Sequence, residues 1–359
     1  MHTPPGGKAS DDVMPPVFNP RLVNKPTGDP ALFVPFFYER RALIFDAGEI
    51  ASLSPRDILK ITHVFITHTH MDHFIGFDRI LRICLGREKT LHVFGPEGFI
   101  ERVSSKLGAY TWNLVHNYEA PLSLHVTEIL PDRLVSCRFD CHNRFEPSQP
   151  EYSPFDAPLL YHEDGFDVEA AILDHDTPCI GYALKERLSI NIRKEAIEEM
   201  GLIPGPWLYE LKQALYAGQN PNDWFEVPAA FSLSGTSAGF RIAELADRLA
   251  IVTRGRKIAY IADAAFHEKN KRRITGLVRN ADHLFIEAAF MEKHREIAGR
   301  KKHLTAEQAG TIAAEAGVKR FTLFHFSPRY SGYYDELEKE AENAFRINGT
   351  RPRQTRPGA

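Results

Sequence analysis

The hexapeptide HTHMDH at residues 68–73 decides the fold class of this chain. It follows directly on THVFIT, a β-branched and aromatic run that predicts a buried strand. Because side chains alternate along an extended segment, His68 and His70 are expected to point the same way. Asp72 and His73 can then turn towards a second point. Imidazole and carboxylate together suit zinc or a similar divalent ion, so the hexapeptide predicts a metal centre at the end of a strand.

The composition of the 359 residues excludes several classes of protein. Apolar residues make up 43% and charged residues 25%, which is typical of a globular chain with a large core and excludes wholesale disorder. The net charge of −3 excludes a strongly basic nucleic-acid coat, although not a local basic patch. No apolar run approaches the ~20 residues that a bilayer span needs, so no membrane association is expected.

The cysteines and the N-terminus indicate a cytoplasmic protein. Four cysteines are too sparse for a disulfide scaffold, which favours a reducing compartment. The N-terminus has no apolar signal core, so secretion is not expected. Cys137 and Cys141 lie beside His142, but no second pair of ligands follows, and we interpret both as free thiols.

Strand and helix patterns alternate along the chain, which indicates an α/β domain. Apolar runs predict strands at 257–261, 283–286 and 321–324, and Thr305 is a suitable N-cap for a helix over 306–316. The segment 137–165 is rich in Pro, Ser and acidic residues and predicts a loop. The expected organisation is a flexible N-terminal arm over 1–28, a main domain over 29–345 with an inserted arm over 190–226, and a basic C-terminal tail over 346–359.

Three more potential metal ligands lie beside predicted strands. His175 follows an apolar strand, and Asp263 and His325 each come at the end of one. An α/β sandwich gathers its active-site loops at such strand ends, so these side chains are expected near the hexapeptide. Each alone would more often be a cap or a satisfied polar residue, so strand position by itself leaves their role open.

HxHxDH after a hydrophobic strand resembles the signature of the metallo-β-lactamase superfamily of two-metal hydrolases. Over residues 42–330 the chain more closely resembles the ribonuclease Z family, endonucleases that trim the 3′ ends of tRNA. The stretches that carry this resemblance are HDTPCIGY at 175–182, KIAYIAD at 257–263 and LFHFSPRY at 323–330. The resemblance implies an αββα sandwich, with two mixed β-sheets, helices on the outer faces and an exosite-like inserted arm.

The resemblance also implies how two metal ions are held. The first ion takes His68, His70, His175 and Asp263. The second ion takes Asp72, His73 and His325 and shares Asp263. Two Zn²⁺ per chain are expected, although Mn²⁺ and Fe share such ligands.

Further roles follow from the same resemblance. Asp72 is implied to orient the attacking water as a catalytic residue. His303 in HLT resembles the family's His-Ser-Thr, whose histidine helps the leaving group depart. Asp46 in FDAG resembles the superfamily's aspartate that accepts a hydrogen bond from a ligand histidine and fixes its tautomer.

The segment GLIPGPWL at 201–208 resembles the Gly-Pro exosite arm with which the family holds tRNA. Rigid proline and permissive glycine suit an extended hook. The implied substrate-binding residues are Gly201, Pro204, Gly205, Pro206 and Lys212 in this segment and Arg329 near the C-terminus.

The chain departs from the family pattern in three places. The family's N-terminal Pro-x-Lys-x-Arg-Asn pattern is absent, and Tyr260 stands where the family has an acidic residue three before the bridging aspartate. The segment 137–165 has no match in the family pattern. A basic cluster near His303 is either a solvated face or the lining of an anionic groove. Its members are Lys269, Lys271, Arg272, Arg273, Arg300, Lys301 and Lys302.

These residues favour a zinc-dependent phosphodiesterase of the ribonuclease Z type, which removes 3′ trailers from tRNA precursors by endonucleolytic cleavage. Precursor tRNA is the expected partner. The sequence leaves open whether the chain forms a homodimer. The alternative is a hydrolase of the same fold that acts on a small phosphodiester or cyclic nucleotide, or on a thioester or lactam. A metal-free binding module is disfavoured because the ligand set is complete.

Overall fold

The computed structural model describes residues 18–37, 39–163, 165–186, 189–253 and 255–349. Residues 1–17 of the predicted arm and 350–359 of the predicted tail lie outside the described residues. The strands are β1 (Arg21–Leu22), β2 (Leu32–Pro35), β3 (Ala42–Phe45), β4 (Ile61–Phe65), β5 (Lys89–Pro96), β6 (Leu122–Ile129), β7 (Arg133–Asp140), β8 (Glu151–Pro154), β9 (Leu159–Glu163), β10 (Phe166–Asp174), β11 (Pro178–Glu186), β12 (Ser189–Ile192), β13 (Trp224–Val227), β14 (Ala238–Arg241), β15 (Ala250–Thr253), β16 (Lys257–Ile261), β17 (His283–Glu287) and β18 (Phe321–Phe324). The helices are α1 (Pro55–Lys60), α2 (Met71–Phe74), α3 (Phe77–Cys84), α4 (Phe99–Gly108), α5 (Lys194–Glu199), α6 (Trp207–Tyr216), α7 (Ile242–Leu249), α8 (Glu268–Leu277), α9 (Arg295–Lys301), α10 (Ala306–Glu315) and α11 (Tyr334–Gly349).

Most of the strands form two large sheets. The first has the order β1-β2-β3-β4-β5-β6-β7-β8, and the second has the order β18-β17-β16-β11-β10-β9. In the first sheet β3 to β6 run parallel, whereas the flanking strands pair antiparallel, so this sheet is mixed. In the second sheet β16, β17 and β18 run parallel. Parallel strands bring their carboxyl ends to one edge of a sheet. Several of the predicted ligands lie directly after these strand ends.

The two sheets face each other across a layer of aromatic rings. The ring of Tyr182 in the second sheet lies 5.7 Å from that of Phe45 and 5.4 Å from that of Phe65 in the first. The Tyr182 hydroxyl donates a hydrogen bond to the Ile66 carbonyl at 2.8 Å, and the Tyr260 ring lies 5.9 Å from Phe45. Each such ring buries a large apolar area, so this layer joins the sheets.

Helices cover the outer face of each sheet. Helices α1, α3 and α4 bury Ile58, Ile80 and Leu107 in a core with the first sheet. Helices α8 and α11 bury Ile274 and Leu337 in a core with the second sheet. The αββα sandwich that the family resemblance implies is thereby confirmed. Among the described residues, none of the helices is long and apolar enough to cross a bilayer.

Residues 161–167 and 184–257 form a second compact unit with its own apolar core. In this unit β12 pairs with β15, and β13 pairs with β14, both antiparallel. The predicted inserted arm over 190–226 is therefore only part of a larger unit. The prediction stopped short because α7, which supplies Leu245 and Leu249 to the core, and strand β15 complete the unit from beyond residue 226.

The loop predicted for 137–165 is wrong, because this segment supplies edge strands to both sheets. It holds the end of β7 and all of β8 and β9. Strand β8 is the outermost strand of the first sheet, and all four of its residues are exposed. Edge strands tolerate proline and polar residues, so their composition does not show the apolar alternation of a half-buried strand.

Residues 18–28 of the predicted flexible arm pack on the main domain. The Phe18 side chain is buried, and β1 pairs with β2. The carbonyl of Pro26 accepts a hydrogen bond from the backbone N–H of Phe326 at 2.7 Å. Burial of an aromatic ring and backbone pairing outweigh the local polar and proline content. At the other end of the chain α11 continues to Gly349, so the predicted tail begins as helix.

Candidate metal centre

The predicted ligands come from loops that follow strands. The hexapeptide 68–73 follows β4, Asp263 follows β16 and His325 follows β18. His175 lies in the turn between β10 and β11. All four segments belong to the larger compact unit, and the fold brings them to a single point.

Asp263 lies at the centre of this point. Its carboxylate is buried, and Oδ2 lies 3.5 Å from Nε2 of His68. The same oxygen lies 3.4 Å from Nε2 of His73 and 3.4 Å from Nε2 of His175. The other oxygen, Oδ1, lies 2.6 Å from Nδ1 of His325. Four imidazoles therefore surround one carboxylate.

The possible ligand atoms fall into groups in which all members lie within 4.8 Å of one another. The groups are His68, His70, His175 and Asp263; Asp72, His73 and His325; and Asp263, Glu287, His303 and His325. The first group is the set implied for one ion. The second, which meets Asp263 through His73 and His325, is the set implied for the other. The structure thus brings all seven predicted ligands together.

Several atoms at this point make no hydrogen bond of normal geometry with any described residue. They are Nε2 of His68, Nε2 of His73, Oδ1 of Asp263 and Nδ1 of His325, and all four are buried. A buried polar atom left unpaired costs ~1–3 kcal/mol, so a cluster of them needs a partner. Imidazole nitrogens around a shared carboxylate are the donor set of a divalent cation of the zinc type, and these residues fit such an ion.

The pKa values of the cluster reflect a strong attraction for positive charge. Burial would raise the pKa of Asp263, but His325 and His73 hold it well below its usual range. Burial would lower the pKa of His325, but the Asp263 carboxylate raises it to about 10. Burial and the neighbouring His73 lower the pKa of His68 to about 2. The Asp263 carboxylate therefore draws positive charge onto His325, the charge that a bound cation carries, whereas the lowered pKa keeps His68 in the neutral form that binds a metal.

Asp46 fixes the orientation of one ligand histidine. Its Oδ2 accepts a hydrogen bond from Nδ1 of His73 at 2.8 Å and one from the Tyr260 hydroxyl at 3.0 Å. Its Oδ1 accepts one from the backbone N–H of Thr67 at 2.7 Å. With Nδ1 of His73 donating to Asp46, Nε2 is the atom that faces Asp263, and its lone pair can bind a metal in the neutral imidazole. Tyr260, which departs from the family pattern, is thus part of the support of this histidine.

Unusual backbone conformations concentrate around the cluster. Five of the eight described non-glycine residues with positive φ lie in or beside it, namely Asp46, Asp176, Asp263, Lys302 and His325. The left-handed conformation costs an L-residue ~1–2 kcal/mol and persists where the surroundings over-determine it. The concentration of such residues is typical of a functional site.

His303 is held at the edge of the cluster by Glu287. The His303 Nδ1 donates a hydrogen bond to Oε2 of Glu287 at 3.0 Å, and the other oxygen of this buried carboxylate accepts one from Ala264 N–H at 2.7 Å. Burial would lower the pKa of His303, but the Glu287 carboxylate outweighs it, so this pKa is raised. The sequence prediction missed Glu287, although an acidic residue directly after the strand predicted over 283–286 was a usable signal.

The cluster opens onto a cavity of about 230 Å³. Asp72, His303 and His325 line it, together with Lys301 and residues 27–29. Residues 27–29 were missed because contacts with distant segments hold them at the site, among them the bond between Pro26 and Phe326 and that between Thr27 and Tyr334, which composition does not reveal.

The guanidinium of Arg329 lies over the ring of Phe290, 5.6 Å from its centroid. Phe290 itself lines the cavity. Arg329, a predicted substrate-binding residue, therefore lies beside the cavity and is exposed.

The other predicted substrate-binding residues lie in the second unit. Gly201, with φ of 67°, follows α5, and Pro206 is the N-cap of α6, which carries Lys212. A Cβ on Gly205 would lie 2.4 Å from the ring of Phe231, so only glycine allows this close packing. Instead of an extended hook, the segment with Pro204 is a packed connection between two helices.

Comparison with known proteins gives matches over most of the chain. The Beta-lactamase superfamily domain matches residues 230–326. The ribonuclease Z of Deinococcus radiodurans is 30% identical over 315 residues, which cover 86% of this chain and 90% of that protein. The ribonuclease Z of Bacillus subtilis is 27% identical over 325 residues, which cover 86% of this chain and 85% of that protein. The solved structure of the metallo-beta-lactamase fold protein YhfI from Bacillus subtilis aligns with a TM-score of 0.50 at 16% identity, covering 89% of this chain and 86% of that one, and it shares the fold.

Proposed function

The chain belongs to the ribonuclease Z family of metal-dependent hydrolases in the metallo-β-lactamase superfamily, and from this premise we propose that it removes 3′ trailers from tRNA precursors as a zinc-dependent endoribonuclease. The relatives from Deinococcus radiodurans and Bacillus subtilis both carry the name ribonuclease Z. The observation that carries the proposal is the cluster of seven potential ligands, in which six side chains gather at the buried Asp263 carboxylate.

Two Zn²⁺ ions would occupy the cluster. His68, His70, His175 and Asp263 would hold one, and Asp72, His73 and His325 with the shared Asp263 would hold the other. When bound, such ions supply charge stabilisation for a phosphate and lower the pKa of water. The unpaired buried atoms around Asp263 support both positions.

Asp72 and His303 carry the proton chemistry in this proposal. The Asp72 side chain is 42% exposed and lines the cavity, so its carboxylate can accept a hydrogen bond from the attacking water and orient it. Glu287 occupies Nδ1 of His303, which leaves Nε2 to deliver a proton to the departing oxygen. Glu287 also favours the protonated imidazole, which is the form that a general acid needs.

The substrate is proposed to be tRNA because distant parts of the chain offer contacts that a small phosphodiester cannot use. Arg329 lies beside the cavity, and the connection over 201–206 with Lys212 would meet tRNA at a second place. The four cysteines are all buried free thiols, which supports a cytoplasmic location for this work.

The test compares substrates at equal metal loading. The zinc-replete protein is incubated with a labelled precursor tRNA, an aryl phosphodiester and a cyclic nucleotide. We expect efficient cleavage of the precursor and slow hydrolysis of the aryl ester. If the small substrates are hydrolysed and the precursor stays intact, the alternative phosphodiesterase is favoured. Both functions require that a chelator abolish all activity.

A further inference from the structure

We propose that Lys301 forms a phosphate-binding subsite beside the metal centre, which takes a phosphodiester adjacent to the scissile one. This inference rests on the proposed function, since it assumes a substrate with more than one phosphate. Lys301 lines the same cavity as Asp72, His303 and His325. The Lys301 ammonium would contact a phosphate of the RNA backbone next to the one that reacts at the metal centre.

The backbone on either side of Lys301 is tied to the centre. The carbonyl of Lys302 accepts a hydrogen bond from Nδ1 of His175 at 2.8 Å, and Lys302 adopts a left-handed conformation with φ of 61°. The backbone N–H of His303 donates to the Ala298 carbonyl at 3.0 Å, which closes the end of α9. Lys301 is the last residue of α9. These two hydrogen bonds fix the position of its Cα near His175 and His303.

The ammonium of Lys301 has no ionic partner among the described residues. Three other lysines of the same unit, in contrast, form ion pairs: Lys106 with Asp78, Lys271 with Glu315 and Lys319 with Asp282. An exposed lysine that lines a cavity and forms no ion pair with a described residue is suited to bind an anion from solution.

The cavity is electrostatically one-sided. Lys301 is the one lysine or arginine among its lining residues within the described part of the chain. The N-terminal segment contributes Thr27, Gly28 and Asp29, so that part of the lining offers a carboxylate and no cation. A polyanion is therefore attracted where α9 ends and repelled where Asp29 lies, which gives the bound RNA a preferred path out of the centre.

The experiment measures equilibrium binding without catalysis. Wild-type protein and the variants Lys301→Ala, Lys301→Arg and Lys339→Ala are treated with EDTA, and binding of a fluorescent precursor tRNA is followed by anisotropy at several salt concentrations. Lys339 is the matched control, because it is exposed on α11 of the same unit, forms no ion pair with a described residue and carries the same charge.

Lys301→Ala is expected to weaken RNA binding by about two- to fivefold, the range of an exposed ion pair. Its slope of log affinity against log salt should be shallower than that of wild type by ~0.7, as for one lost single-strand phosphate contact. Lys301→Arg should keep the wild-type slope, and so should Lys339→Ala. In the zinc-replete proteins, the ratio of kcat/KM for precursor tRNA over aryl phosphodiester should fall only for Lys301→Ala.

Each contrary outcome has a defined meaning. If Lys301→Ala and Lys339→Ala give the same affinity and slope, the subsite is overturned and the proposed function stands. If Lys301→Ala loses equally on both substrates, Lys301 supports the centre instead of binding a phosphate, and the proposal fails. If wild-type protein hydrolyses the aryl ester but neither binds nor cleaves the precursor, the subsite and the proposed function fail together.

Discussion

Replacing Asp46 by Asn tests whether this carboxylate fixes a metal-binding tautomer. Its backbone has φ of 55°, a conformation that Asn tolerates, so Asp46→Asn keeps the loop where Ala would add strain. The amide oxygen can still accept the hydrogen bond from Thr67 N–H. The amide nitrogen then faces Nδ1 of His73, which can no longer donate, and the proton moves to Nε2, the atom that faces Asp263.

The magnitude follows from the loss of one oriented ligand. Changes to the partner of a ligand histidine lower metal affinity by ~10–100-fold, which corresponds to ~1.4–2.7 kcal/mol. We expect this loss for Asp46→Asn in a competition titration between the protein and a fluorescent zinc chelator. Tyr260→Phe is the control, because it removes one donor to Asp46 and leaves the bond between Asp46 and His73, so its loss should stay below ~10-fold.

Two results would refute this reasoning. Zinc binding by Asp46→Asn at wild-type affinity would mean that the tautomer of His73 does not depend on Asp46. Equal losses in Asp46→Asn and Tyr260→Phe would mean that the effect comes from disturbed packing around Tyr260, and circular dichroism of the metal-free variants would show it.

Further predictions concern catalysis, binding and metal removal. His303→Ala should keep its zinc by elemental analysis and lose ~10²–10⁴-fold in precursor cleavage, with a smaller loss on an aryl ester whose leaving group needs little protonation. Glu287→Gln should lower kcat in the same assay with zinc retained, because the proton on His303 loses its carboxylate partner. Lys212→Ala should raise KM for precursor tRNA more than it changes kcat, as expected for a remote contact. Removal of metal with EDTA should lower the melting temperature in differential scanning calorimetry, since ions that bind the native state stabilise it.

Contrary results are equally specific. Equal losses of His303→Ala on both substrates, or loss of its zinc, would remove its role as a proton donor. Unchanged kcat in Glu287→Gln would show that His303 acts without it. A wild-type KM in Lys212→Ala would exclude the helix α6 contact with tRNA, and an unchanged melting temperature after EDTA would argue against ions bound in the folded state.

Local patterns predicted the central part of the fold well. The strands expected at 257–261 and 321–324 have those bounds in the structure, because each is an apolar run with polar or charged neighbours. Thr305 caps α10 through a capping box with Gln308, as its side chain allows. The family resemblance implied the ligand cluster, and the position of its residues beside such strands, whose ends converge in this architecture, agreed with that prediction.

What the sequence did not reveal depends on contacts between distant segments. Glu287 reaches His303 only after β17 and the segment before α10 come together. Asp29 enters the cavity through the pairing of an N-terminal segment that looked like a loose arm. Edge strand β8 is exposed along its whole length and is defined by backbone hydrogen bonds to β7, for which side chains give no signal.

Mapping the products of precursor tRNA cleavage tests the proposed function most directly. A precursor with a labelled 5′ end and a 3′ trailer is incubated with the zinc-replete protein, and both product ends are determined by gel mobility and mass spectrometry. We predict one cut that leaves a tRNA with a 3′ hydroxyl and an intact trailer with a 5′ phosphate, and no cut in Asp263→Asn. Stepwise loss of single nucleotides, or an intact precursor under conditions in which the aryl phosphodiester is hydrolysed, would contradict it.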